Sequence, residues 1–211
     1  MVFNIKPKSK LFTGCRVDNC LQIGFDVGKI RDPSAVCVVV AEREPSKAKD
    51  SRTEYTVRYL KRLDLGMPYP RQVEEVVHMC SQAAERYKEE YKSDLIALMV
   101  DVTGVGEPVL DLLRGRLEKD VGDVELYACR FVGGERLIED VDRHKRRISI
   151  GKDYFVNRLQ VLIESERIHI PKTLSTAENL VEELLDFDID VDEATGKPTY
   201  GAICPGTHDD M

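Results

Sequence analysis

The sequence has no apolar run approaching the 20 or so residues that a membrane-spanning helix needs. Its first residues, MVFNIKPKSKLF, lack the apolar core of a secretory signal peptide. A phosphate-binding loop of the form G-x-x-x-x-G-K-[ST] is also missing, because the segment from Gly24 to Lys29 has the wrong spacing and no Ser or Thr after the lysine. We therefore expect a chain that does not span a membrane and does not hydrolyse ATP by itself.

Paired cysteines are missing as well. The six cysteines are scattered, and several fall inside apolar runs, which is typical of reduced, buried thiols in a cytoplasmic protein. Cys15 and Cys20 have no second Cys or His pair at zinc spacing, so no zinc knuckle is expected. The formal net charge of −7 argues against general adhesion to nucleic acid. It is compatible with a local basic patch beside an acidic metal site.

Hydrophobic periodicity predicts one domain over residues 21–211, preceded by a tail or linker at residues 1–20. Three β-rich segments joined by short turns indicate an antiparallel meander. The fourth β-rich segment is continuously apolar, which indicates a central strand buried on both faces. These three strands, the central strand and a fifth strand are predicted at residues 21–26, 35–43, 55–60, 95–101 and 124–131.

Apolar residues at helical spacing predict four helices between and after these strands. The helices are expected at residues 73–91 (just after Pro70), 108–117 and 152–165, and from Thr176 onward. The segment from Gly133 to Lys152 is polar, and no strand is predicted there. A short extended piece at residues 168–171 and a late hairpin at residues 187–192 and 199–203 complete the chain. The predicted fold class is α/β, with a mixed sheet and helices on both faces.

The first predicted strand ends in a single carboxylate, Asp26, between Gly24 and Gly28. A carboxylate among apolar neighbours is unfavourable unless it is paired or bound to a cation. The glycines leave room for a ligand to approach the backbone. Two interpretations stay open: Asp26 binds a cation, or it only caps a turn.

The fourth predicted strand ends in the same way, with Asp101 before a Gly-rich turn. If the two strands are adjacent, the two carboxylates are neighbours, and converging carboxylates usually hold divalent cations. Asp209 or Asp210 would supply a third ligand, and His208 is a further candidate. Mg²⁺ and Mn²⁺ prefer such oxygen ligands.

Three motifs in order resemble the nuclease domain of phage terminase large subunits. They are Gly24-Phe25-Asp26-Val27-Gly28 with Asp32-Pro33-Ser34-Ala35, then Val100-Asp101-Val102-Thr103-Gly104-Val105-Gly106, and then His208-Asp209-Asp210. The resemblance runs from about residue 21 to the end. It implies an RNase H-like fold and an endonuclease that cuts concatemeric double-stranded viral DNA during genome packaging. It also implies two bound Mg²⁺ or Mn²⁺ ions and a location in the cytoplasm of the host bacterium.

The resemblance assigns roles to individual residues. Asp26 and Asp101 match metal ligands of that family, and Asp210 is the favoured third catalytic ligand, with Asp209 and His208 as additional metal-site residues. An apolar helix that follows the acidic pair in the family is not present, and neither is the ATPase domain. The implied partners are DNA and, in a full-length protein, that ATPase domain, a small terminase subunit and a portal.

One basic cluster is a candidate for contacting DNA phosphates, and its alternative is a solvated loop. Its members are Arg143, Lys145, Arg146, Arg147 and Lys152. His78 lies on a mostly apolar helix face and is expected to pack in the core, whereas His169 is expected to face solvent.

The sequence also leaves other functions open. A strand-Asp-x-Gly turn also occurs in actin-like and sugar-kinase-like ATPases, but these need two such lobes, and 211 residues are too few. A second alternative is another RNase H-like nuclease, such as a junction resolvase or an RNA:DNA hybridase. The third is a catalytically silent module that fastens a packaging motor to its portal.

Overall fold

The computed structural model describes residues 20–28, 32–43, 52–91, 96–104, 107–122, 124–142, 145–191 and 198–202. The strands in these ranges are β1 (Cys20–Asp26), β2 (Ala35–Arg43), β3 (Thr53–Arg62), β4 (Ile96–Asp101), β5 (Val124–Val132), β6 (Leu137–Asp142), β7 (Lys145–Gly151), β8 (Ile168–His169), β9 (Phe187–Val191) and β10 (Pro198–Ala202). The helices are α1 (Tyr69–Tyr91), α2 (Glu107–Asp120), α3 (Lys152–Glu164) and α4 (Ala177–Asp186). None of these helices is both long and apolar enough to cross a membrane.

Eight of the described strands form one mixed sheet in the order β6-β7-β5-β4-β1-β2-β3-β8. Strands β1, β2 and β3 pair antiparallel, which confirms the predicted meander. Strands β1, β4, β5 and β7 run parallel to one another. Strands β9 and β10 form a separate antiparallel hairpin, as predicted. Among the described strands, β6 and β8 are the outermost strands of the large sheet.

One face of the sheet packs against α1 and α2. A hydrophobic cluster on this face buries alternate residues of the central strands, such as Ile23 and Phe25 in β1 and Leu98 and Val100 in β4. They contact the apolar face of α1, which includes Val76. Because side chains of a strand alternate between faces, the intervening residues point to the other side of the sheet.

The other face of the sheet is covered by α3. Met99 and Tyr127 lie in one buried cluster, against which Phe155 of α3 packs. Leu162, near the end of the same helix, is fully buried in a second cluster with Tyr55. Helices therefore flank both faces of the sheet, and the predicted α/β class is confirmed.

The segment from Gly133 to Lys152 differs from the prediction, because it contains β6 and β7. Ile148 and Ile150 are buried in the core beside β5. Their alternation with polar residues is the mark of a strand. The dense charge just before them, from residue 143 to residue 147, concealed this alternation in the sequence.

Two smaller details also differ. Helix α1 begins at Tyr69, so Pro70 lies inside its first turn, where the missing N–H of proline breaks no helical hydrogen bond. His78 is exposed and not packed in the core, although Val77 and Met79 on either side of it are buried. His169 is exposed as expected, and its Nε2 lies 3.0 Å from Glu54 Oε2.

Candidate metal centre

The carboxylates of Asp26 and Asp101 end two adjacent parallel strands at the same level of the sheet. The register of β1 and β4 pairs Gly24 with Met99 and Phe25 with Val100, and each aspartate follows one residue later. Phe25 and Val100 are buried on the α1 side. Both aspartates, which are half-buried, therefore point to the α3 side. The adjacency that the sequence could only suppose is present in the structure.

The carboxylate of Asp101 is oriented by Thr103. The backbone N–H of Thr103 donates to Asp101 Oδ1 at 2.8 Å, and the Thr103 hydroxyl donates to the same oxygen at 2.5 Å. Thr103 Oγ1 in turn accepts a hydrogen bond from the backbone N–H of Phe131 at 3.0 Å. Asp101 thus caps its turn. The capping bonds use Oδ1 alone, which is compatible with metal binding through Oδ2.

Cys129 lies beside Asp101 on the neighbouring strand β5, where the register pairs the two residues. Burial raises the pKa of the Cys129 thiol to about 12, and the nearby charge of Asp101 adds to this rise. The thiol is therefore protonated at neutral pH. It supplies a small apolar wall beside Asp101.

The backbone after Asp26 is held by a buried polar network. The N–H of Gly28 donates to Ser34 Oγ at 2.9 Å, and the Ser34 hydroxyl lies 3.0 Å from Gly28 O and 2.9 Å from Gln72 Oε1. Gln72 Nε2 donates to Gly28 O at 3.0 Å and to Met67 O at 2.8 Å. A Cβ at residue 28 would lie 2.2 Å from the carbonyl oxygen of Asp32, so this turn requires glycine.

The start of α3 lies near the two aspartates, at the end of the sheet where the parallel strands finish. Because β7 is parallel to β5 and β4, its carboxyl end at Gly151 lies on the side where Asp26 and Asp101 are found. The N–H of Gly151 donates to Arg136 O at 2.7 Å, which ties the β5–β6 turn to this helix start. Lys152 follows immediately and is exposed. Lys152, one of the residues predicted to contact a DNA phosphate, therefore lies at the same end of the sheet as the two aspartates.

Arg146 lies further from this end of the sheet. Asp101 pairs in register with Cys129, and Cys129 pairs with Ile148, so Arg146 is two residues before that level on β7. Its guanidinium forms an ion pair with Glu125 at 2.5 Å and lies 5.4 Å from the centre of the Tyr127 ring. These contacts hold Arg146 within the sheet, and its predicted contact with DNA phosphates stays a prediction.

Tyr127 and Arg146 both contact Glu125, since the Tyr127 hydroxyl donates to Glu125 Oε2 at 2.7 Å. Burial raises the pKa of the Tyr127 hydroxyl, and its hydrogen bond to Glu125 raises it further. Arg147, the next residue of β7, is exposed and lies opposite Asp140 of β6. The two neighbouring arginines thus differ in environment.

Comparison with known proteins bears on the fold. Neither a protein-family model nor a curated protein matches the sequence. Among solved structures, the chain is similar to the nuclease domain of the large terminase subunit gp2 of bacterial virus Sf6. The TM-score is 0.50 at 12% identity, over 88% of this chain and 78% of that chain. The chain has an RNase H-like fold.

A second solved structure, that of Thermus thermophilus RuvC, is similar over 51% of this chain and 61% of that chain. Its TM-score is 0.30, and the two sequences are 14% identical. The RNase H-like fold predicted from the ordered motifs is confirmed through the terminase nuclease domain.

The RNase H-like sheet brings together two of the predicted metal ligands. The other predicted site residues, His208, Asp209, Asp210 and Arg143, lie outside the described residues, as does the side chain of Lys145. Within the described ranges, no group of three or more His, Cys, Asp or Glu residues could hold a metal ion. A third ligand from residues 208–210 therefore stays a prediction.

Sequence reasoning did not find Gln72 or the orienting role of Thr103. Gln72 follows Arg71 and precedes Val73 at the start of a helix, where a glutamine usually faces solvent. Nothing in the sequence marked it as buried. Thr103 and Ser34 belonged to the motifs that carried the resemblance, but their hydrogen bonds became visible only in the folded chain.

Proposed function

We propose that this RNase H-like chain is a divalent-metal-dependent endonuclease that cuts double-stranded DNA during the packaging of concatemeric viral DNA. The observation that carries the proposal is the pair of carboxylates, Asp26 and Asp101, at the ends of adjacent parallel strands in matching register. The fold is shared with the nuclease domain of a terminase large subunit, which supports a packaging role.

The residues present fit a hard divalent cation. Two carboxylates at one level of a sheet repel each other, and a bound cation removes that repulsion. Asp26 and Asp101 offer the oxygen atoms that Mg²⁺ and Mn²⁺ prefer, and Asp210, Asp209 and His208 would complete the site for two ions. Bound there, such ions would activate a water molecule and stabilise charge on the leaving oxygen of a phosphodiester.

Other side chains of the protein orient the proposed metal ligands or lie beside them. Thr103 holds Asp101 in one orientation through Oδ1. Lys152 is exposed at the same end of the sheet as the two aspartates and is suited to contact a DNA phosphate. Arg143, Lys145 and Arg147 would extend the contact along the backbone of the DNA. Because the net charge is −7, we expect binding to be weak and strongly dependent on salt.

The first test is plasmid cleavage by the purified chain. Because both ions suit carboxylate ligands, we expect nicked and linear products with either Mn²⁺ or Mg²⁺. The amount of product should be smaller with Mg²⁺ than with Mn²⁺. EDTA should abolish the products. Cleavage that persists in EDTA would rule out the metal-dependent mechanism. A folded parent chain without cleavage in Mn²⁺ would favour the catalytically silent docking module.

The two neighbouring arginines of β7 should respond differently to alanine. Arg147→Ala should reduce cleavage at low salt and leave the melting temperature nearly unchanged, because Arg147 is exposed. Arg146→Ala should lower the melting temperature, because it leaves Glu125 without its cation. The loss should lie between the 0–1 kcal/mol or so of surface pairs and the roughly 3–5 kcal/mol of buried pairs.

Each arginine variant serves as the control for the other, and both are measured by thermal unfolding and by initial cleavage rates. The assignment of Arg147 to DNA contact fails if Arg147→Ala cleaves at the parental rate in low salt. The structural assignment of Arg146 fails if Arg146→Ala melts at the parental temperature.

A further inference from the structure

The side chain of Gln72 is almost completely buried, with 1% of its surface exposed, although Arg71 and Glu74 beside it on α1 are exposed. Burying an amide is unfavourable unless its hydrogen-bonding groups find partners. Gln72 meets this condition with two carbonyl acceptors and one hydroxyl donor. Its position in the core therefore depends on the loops that surround it.

The partners of Gln72 come from three separate segments. Met67 belongs to the turn before α1, Gly28 follows β1, and Ser34 precedes β2. Ser34 is also tied to the end of β3, because its carbonyl oxygen accepts a hydrogen bond from the N–H of Leu63 at 2.7 Å. One amide group thus links the helix to both ends of the β1–β2 connection.

The location of this link gives it a consequence for the metal centre. The register between β1 and β2 ends at the pair Asp26 and Ala35. Beyond that pair, the backbone at Gly28 is held by Ser34 and Gln72 instead of by a neighbouring strand. Asp26 is two residues before Gly28, so a shift of this backbone would rotate the strand end that carries the carboxylate.

We infer that Gln72, through Ser34 and Gly28, is a positioning residue for the metal ligand Asp26. The inference rests on the proposed function, since it assumes that Asp26 binds a divalent cation. Gln72 acts on the backbone and does not itself contact the cation. Groups that orient metal ligands typically change metal affinity about 10–100-fold when they are removed.

The test is the Mn²⁺ concentration that half-saturates the folded chain, obtained by fitting the rise of the melting temperature across a Mn²⁺ series and here called the Mn²⁺ midpoint. Gln72→Met keeps the length of the side chain and removes all of its hydrogen bonds, and its Mn²⁺ midpoint should rise about tenfold or more. Gln72→Glu keeps the acceptor but loses both N–H donors, so its Mn²⁺ midpoint should rise as well. Ser34→Ala removes the hydroxyl that joins Gln72 to Gly28 and should act in the same direction.

Gln22→Met is the matched control. Gln22 is also buried, at 8% exposure, and lies on β1 four residues before Asp26, but its Oε1 has no hydrogen-bond partner in the described part of the chain. Its replacement should therefore leave the Mn²⁺ midpoint unchanged. A purely structural role for Gln72 predicts lower melting temperatures without metal, but a parental Mn²⁺ midpoint and a parental cleavage rate below those temperatures.

The outcomes separate this inference from the proposed function. Parental Mn²⁺ midpoints in Gln72→Met and Ser34→Ala, beside an active parent chain, would overturn the inference alone. A parent chain with neither a Mn²⁺ shift nor cleavage would overturn the proposed function and the inference with it. If Gln72→Met does not fold, the Mn²⁺ midpoint of Ser34→Ala decides the question.

Discussion

Asp101→Asn should lose Mn²⁺-dependent cleavage by at least about a hundredfold, since even groups outside the ligand shell contribute 10–100-fold. The fold should survive the change, because an Asn side-chain oxygen can still accept the two hydrogen bonds from Thr103. Without metal the variant should be at least as stable as the parent, since one of two neighbouring negative charges is removed. Its thermal shift in Mn²⁺ should be smaller, because a ligand stabilises a fold only through its affinity for the native state.

The control for Asp101→Asn is Asp111→Asn, which makes the same chemical change on the exposed surface of α2. Asp111 is exposed and pairs with Arg114 on its own helix at 2.9 Å, so both cleavage and the Mn²⁺ shift should stay parental. If Asp101 only caps its turn, Asp101→Asn should behave like this control. An active Asp101→Asn protein with an undiminished Mn²⁺ shift would remove Asp101 from the metal centre.

Gly151→Ala should lower the stability of the fold by about 1–3 kcal/mol, the usual range for overpacking. Gly151 has φ −64° and ψ 131°, which any residue can adopt, so the requirement for glycine is one of space. A Cβ there would lie 1.9 Å from Gly134 O and 2.8 Å from Arg136 N, both of which are backbone atoms. The β5–β6 turn would have to move away from the start of α3.

Thermal unfolding measures this effect, and a loss of that size corresponds to roughly 2–12 °C in the melting temperature for a chain of this length. Gly133→Ala is the control, because a Cβ at Gly133 meets no atom within 4 Å in the described structure. It should melt within a few degrees of the parent. Equal melting temperatures for the two variants would show that the turn adapts freely.

The central strands and their terminal aspartates were predictable because the signal is local. Strands β1 and β4 are mostly apolar segments that each end in one carboxylate, and this pattern is visible in the sequence without any knowledge of the neighbouring strands. The register that brings Asp26 level with Asp101 depends on pairing between distant segments, which no local pattern encodes. The sequence could therefore nominate both residues but could not show that they meet.

The missed features depend on tertiary contacts. The strand β7 was hidden because its two buried isoleucines directly follow a run of charged residues. His78 was misplaced because one residue of error in the phase of a helix moves a side chain by about 100°. Gln72 was missed because only the assembled loops around it supply the hydrogen bonds that make its burial tolerable.

The two outer strands of the large sheet have a consequence for how copies of this chain meet in concentrated solution. An exposed strand edge is a template for intermolecular pairing, which leads to aggregation. At one edge, β8 is only two residues long and is followed closely by Pro171, which has no N–H to donate. At the other edge, β6 carries Glu139 and Asp140, so like charges would face each other if two copies paired there. Both edges therefore oppose strand-to-strand association.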